Sequence, residues 1–198
     1  MKSDVCKLPV GTIDIESVKV VLAETEKTAN YANLSKKNAG RLRLLAEELV
    51  GMLPEVLEYS QGEFWVECNG TSFELHTSLI PSESLTAARR KKIIELSSSG
   101  KNFAATGIMR KIALAAQFMM IEYDYISSIQ PVFYANGMTS AVQFPNPAWS
   151  LSSYRAKTEE NKGEPWDELE KSIVANIADD VLVGVQGTRV DIIVKKTF

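Results

Sequence analysis

A chain of 198 residues, 45% hydrophobic and 24% charged, has the length and composition of one well-buried globular domain. Its 22 basic and 25 acidic residues leave a net charge of -3, which argues against a general nucleic-acid footprint. The two cysteines, Cys6 and Cys68, lack metal-ligand spacing, Met1–Gly11 lacks a signal-peptide core, and no apolar run approaches a membrane span, so the expectation is a soluble cytoplasmic protein.

Thr12 to Val21 opens with alternation at Ile13 and Ile15, then turns apolar at Val18, Val20, Val21 and Leu22. This predicts a short strand feeding a helix. Asn33-Leu34-Ser35 offers an N-cap for a second helix. That helix carries Leu42, Leu45, Leu49, Met52, Leu53 and Val56 at helical spacing, and Pro54 should kink or end it. Glu63–Cys68 and Thr71–His76 flank Asn69-Gly70, the pair favoured at the centre of a type I′ hairpin turn. Pro81-Ser82 breaks the second strand.

Ser84–Leu96 reads as a helix, and Ala104–Met120 as a heavily apolar one, buried in the monomer or packed on a partner. Beyond Glu122 the periodicity weakens. Pro131–Tyr134 and Ser140–Phe144 read as strands around Asn136-Gly137, and Pro145-Asn146-Pro147 as a loop. Tyr154–Gly163 is polar and charged and is expected to be mobile. A helical pattern from Trp166 to Ala178 leads into two β-rich runs around Gln186-Gly187-Thr188, which predicts a closing hairpin.

Helix, strand, Gly-Thr turn, final strand and basic end, Trp166–Lys196, resemble the close of the GHKL ATPase fold. That superfamily holds the ATP-binding domains of gyrase, heat-shock chaperones, sensor histidine kinases and anti-sigma kinases. With Val10–Pro81 the element order is most similar to the compact anti-sigma kinases. The resemblance implies a single domain over 1–198, an α/β two-layer sandwich. Its sheet would be mixed but mostly antiparallel, with helices on one face and an elaborated lid or insert at about 82–165.

In that family the second long helix carries a Glu that activates water or the substrate hydroxyl. An Asn one turn later holds magnesium on the ATP phosphates. Leu44–Met52 fits this helix, with Glu48 on the Glu position and Met52 on the Asn position. A thioether is a poor ligand for a hard, oxygen-seeking cation, so no metal site is expected. The family's Asp-x-Gly-x-Gly motif falls on Thr77-Ser78-Leu79-Ile80-Pro81. Thr77 or Ser78 would meet adenine as a neutral hydrogen-bonding group. Thr188 matches a Thr that lies near adenine in many relatives. The resemblance thus implies Glu48 as a residual catalytic base and Thr77, Ser78 and Thr188 as nucleotide contacts. Binding of ATP or another nucleotide would be weak and magnesium-independent.

Plainer readings stand beside these. Glu48 reads as a solvated carboxylate beside Glu47, and Thr188 as an ordinary strand residue. His76 reads as a structural or surface histidine, Cys68 as a small apolar strand residue, and Arg89–Lys92 as a solvated helix face. The expected function is regulatory or ligand-binding in a bacterial-type signalling system, with a degenerate nucleotide site and no efficient ATP hydrolysis. The alternative is an active ATPase or serine/threonine kinase of the anti-sigma type, using Glu48. A third reading is an oligomeric module built on Ala104–Met120. A protein partner or self-association is expected through Ala104–Met120 and Tyr123–Trp149, where aromatics gather, and neither a nucleic-acid nor a membrane partner is expected.

Overall fold

The computed structural model describes residues 1–10, 14–82, 149–160, 172–186 and 189–198. In chain order these form β1 (Cys6–Leu8), α1 (Ile15–Tyr31), α2 (Lys36–Val56), β2 (Tyr59–Asn69), β3 (Ser72–Pro81) and β4 (Trp149–Ser150). They are followed by α3 (Leu151–Glu160), α4 (Ile173–Ile177), β5 (Asp180–Gln186) and β6 (Arg189–Thr197). The expected helices Ser84–Leu96 and Ala104–Met120, the strands Pro131–Tyr134 and Ser140–Phe144, and Thr188 lie outside the described residues. So do 166–171 and all of the expected interface segment 123–149 except Trp149.

The first two helices are set by their caps. Asp14 accepts a hydrogen bond from Ser17 N at 2.8 Å, and Ser35 accepts one from Asn38 N at 3.3 Å. Each satisfies a donor that the first helical turn leaves free. The Asp14 cap overturns the expectation of a strand at Ile15, which is instead the first residue of α1. The first strand lies upstream, where Cys6 pairs with Phe64 and Leu8 with Gly62. Pro54 sits in the last turn of α2, two residues before the helix ends.

The six strands form one sheet in the order β1-β2-β3-β6-β5-β4. Every described pairing is antiparallel, so the parallel component expected of a mixed sheet does not occur among these strands. Two hairpins, β2–β3 and β5–β6, join along β3 and β6. The first hairpin closes one residue later than expected. Asn69 pairs with Ser72, which leaves Gly70-Thr71 as the turn. Gly70 has φ +62° and Thr71 is not in the left-handed region, which suits a type II′ turn, with Gly first, rather than type I′. Only one residue then needs positive φ, and glycine supplies it.

Alternate residues of each strand point to opposite faces. On one face Phe64, Val66, Leu75, Leu79, Val181, Val183, Val190, Ile192 and Val194 are buried. They share one core with Val21, Leu22 and Ala29 of α1, with Leu42, Leu45, Leu49 and Leu53 of α2, and with Val174 of α4. Ile193 is buried on the other face and is not part of that core.

The segment expected to be mobile differs from the expectation at its start. Tyr154–Glu160 belongs to α3, whose first residue, Leu151, is buried in the core. Its opening turn is held by Asp180, which accepts from Ser152 N at 2.9 Å and from Ser152 Oγ at 3.0 Å. Polar composition hid a helix whose anchor comes from β5. No helix among the described residues is long and apolar enough to cross a membrane.

Candidate functional site

Glu48 lies on α2 and is half-buried. Its Oε2 accepts from Val174 N at 2.6 Å, and its Oε1 accepts from Ser172 Oγ at 3.3 Å. Ser172 is itself the N-cap of α4 and accepts from Ala175 N at 3.2 Å. The carboxylate therefore completes the cap of a short helix 124 to 126 residues away in sequence. This corrects the picture of a solvated side chain, which does hold for exposed Glu47. Burial pushes the Glu48 carboxyl above its usual value, against the downward pull of the Val174 N–H, the Ser172 hydroxyl and the Ile173 N–H.

Met52 and Leu79 are packed in the core. Thr77 is buried, and its hydroxyl donates to Ile192 O across the β3–β6 pair at 3.3 Å. Ser78 points to the opposite face, beside Asp191, its partner across the β3–β6 pair. Thr77 and Ser78 are neighbours in sequence but face away from each other, so they do not converge on one pocket. Thr188 lies outside the described residues.

A second constellation stands on the sheet face turned away from the core. Trp65 and His76 are cross-strand partners, and their rings stack at 4.9 Å with 6° between planes. Lys2 Nζ lies 4.3 Å from the centre of the Trp65 ring. Trp65 Nε1 donates to Glu67 Oε1 at 2.8 Å, and Lys2 approaches the same oxygen at 3.6 Å. Glu74 Oε1 pairs with Lys195 of β6 at 3.1 Å, and its Oε2 lies 3.2 Å from His76 Nε2.

His76 Nε2 has almost no solvent contact and, among the described residues, no well-aligned hydrogen-bond partner. The Glu74 oxygen is at ion-pair distance. Burial pulls the imidazole below its ordinary pKa, against the upward pull of Glu67 and Glu74. Asp191, partnered with Ser78, is pushed up by burial, against the pull of Ser78, Arg189 and His76. Among the described residues, Glu67, Glu74 and His76 offer a cation-binding donor set, with ligand atoms all within 4.8 Å of one another.

Sequence reasoning passed over this cluster. Glu67 and Glu74 are seven positions apart and match no familiar metal spacing. The signal was the hairpin: closing it at Gly70-Thr71 makes the two glutamates direct partners and leaves His76 on their face. Lys195 could not be found that way, because its approach depends on the long-range β3–β6 register.

Comparison with family models, with curated proteins and with solved structures finds no match to this chain.

Proposed function

We propose that the chain is a regulatory or ligand-binding domain on a histidine kinase-like ATP-binding fold, with a degenerate nucleotide site and no efficient ATP hydrolysis. The observation that supports this most is the employment of Glu48. A catalytic base must meet a water or hydroxyl proton. Glu48 has both carboxylate oxygens engaged by the start of α4. Met52, on the position of the magnesium ligand, is core packing. Both residues are occupied by structure, and neither arrangement needs a nucleotide.

On this reading the protein works in cytoplasmic, bacterial-type signalling by engaging a partner or a second copy through Ala104–Met120 and Tyr123–Trp149. Calorimetry with ATP, with and without magnesium, and a phosphate-release assay test the nucleotide half. The expected result is weak, magnesium-independent binding at most and no turnover. Micromolar magnesium-dependent affinity, with turnover lost in Glu48→Gln, would overturn it in favour of an active ATPase or serine/threonine kinase. The interface half is tested by Phe118→Glu with Met119→Glu. A folded variant that no longer associates, by sedimentation and circular dichroism, supports an interface, whereas an unfolded product assigns the segment to the monomer core.

A further inference from the structure

The sheet face turned away from α1 and α2 carries a donor set that the proposed function does not use. The tight turn at Gly70-Thr71 makes Glu67 and Glu74 direct cross-strand partners, and His76 follows Glu74 by two residues on the same face. One imidazole nitrogen and two carboxylate oxygens thereby come within 4.8 Å of one another. Around a tetrahedral ion with bonds of about 2.0–2.2 Å, neighbouring ligand atoms sit roughly 3.4 Å apart. Modest rotations of the two glutamate side chains, 44% and 37% exposed, close that difference.

The second observation is the condition of His76 Nε2. Among the described residues this atom has almost no solvent contact and no well-aligned hydrogen-bond partner, and it lies 3.2 Å from Glu74 Oε2, its ion-pair neighbour. A neutral ring with its lone pair on Nε2 sets acceptor against acceptor. A neutral ring protonated there makes at best a poorly aligned bond to the carboxylate. A divalent cation removes the conflict, because imidazole nitrogen and carboxylate oxygen both donate electron pairs to it. We propose that Glu67, Glu74 and His76 form a binding site for a divalent first-row transition ion of the zinc class, with His76 Nε2 and one oxygen of each carboxylate as ligands.

The surroundings are those of a supported site. Trp65 lies flat against the imidazole and fixes its plane, while its indole N–H holds Glu67 by Oε1. Lys195 holds Glu74 by Oε1, so the Oε2 facing His76 is the oxygen left for an ion. Such outer contacts orient ligands and are part of what makes a metal site selective. The imidazole disfavours magnesium and calcium, which prefer all-oxygen shells, and the lack of a thiolate disfavours the softest ions. Three protein ligands leave a coordination position for water or a further ligand. Lys2 and Lys195 offset the two carboxylates and keep affinity below that of a four-ligand structural site.

The chain has a single histidine, so an imidazole response needs no assignment. The test uses the full chain without a histidine tag, with labelled imidazole nitrogens followed by NMR as zinc chloride is added. The expected result is a saturable shift of the Nε2 resonance at one equivalent. Affinity, read against a competing chromophoric chelator, should fall at least tenfold in His76→Gln and in the double variant Glu67→Gln with Glu74→Gln. An Nε2 signal unmoved by several equivalents of zinc overturns the proposal. So does unchanged affinity in either variant, which would place zinc elsewhere. Circular dichroism checks that the variants fold, and if they do not, the wild-type imidazole titration decides alone.

Discussion

Phe64 and Trp65 are adjacent on β2 and lie on opposite faces of one sheet, in two different chemical settings. Phe64 is sealed among the helices with Val66, Leu75 and Ile192. Trp65 is half-exposed among Lys2, Glu67 and His76. The same backbone ladder supports both faces. Burial of apolar area on one face supplies stability, which leaves the other face to carry charged and titratable groups at close range. The separation of the two tasks by strand alternation is what this contrast teaches.

The comparison can be broken most sharply at those two neighbours. Phe64→Ala should cost about 3–5 kcal/mol, since it opens a cavity in a closed core. Trp65→Ala should cost only about 1–2 kcal/mol, the worth of one aromatic stack and one cation–π contact. Urea unfolding of both variants measures the difference, and equal losses would mean that the two faces share the stabilising load.

Glu48 tests the border between structure and chemistry. Glu48→Ala should lose about 1–2 kcal/mol, the usual worth of a helix cap and its hydrogen bonds. A change near zero would return Glu48 to the solvated class. Its pH dependence has a definite sign. The folded carboxyl is raised by burial, so the folded state binds the proton more tightly than the unfolded state. Its contribution to stability is therefore largest below the unfolded pKa and falls as pH rises through the folded value. Denaturation of wild type and Glu48→Gln across the carboxylate range should show wild type losing ground with rising pH.

The smallest effect is expected at Tyr59, which is buried with a hydroxyl that has no hydrogen-bond partner among the described residues. Tyr59→Phe should be neutral or stabilise by up to about 1 kcal/mol, because it removes an unsatisfied polar atom from the apolar side. A clear loss by thermal unfolding would show that the hydroxyl has a partner after all.

What the sequence made legible was local. Leucine spacing found α2, Ser35 marked its start, and Gly70 marked the first hairpin to within one residue. Alternation alone could not place the turn, because closing it at Gly70-Thr71 or one residue earlier keeps every apolar residue on the same face. α3 was missed because its anchors, Leu151 in the core and Asp180 from β5, lie outside its own polar stretch. Ile15 was misread because Asp14 outweighs a two-residue alternation. The partner of Glu48 and the approach of Lys195 to Glu74 arise only when distant segments meet, and no local pattern encodes them.

The short helix α4 carries a further consequence. Five residues are too few to be helical alone in water, because nucleation costs more than one or two turns return. Its first turn is held by Glu48 from α2. The carbonyls of Ala175, within it, and of Ala178, its C-cap, accept from Arg155 of α3. Both clamps come from other helices, so α4 is expected to take shape only after they have docked. Loss of the Glu48 clamp should then quicken unfolding while leaving the folding rate nearly unchanged. In native-state hydrogen exchange the Val174 amide should open in step with its neighbours rather than fray by itself. A segment whose order is borrowed from two others reports on whether both are in place.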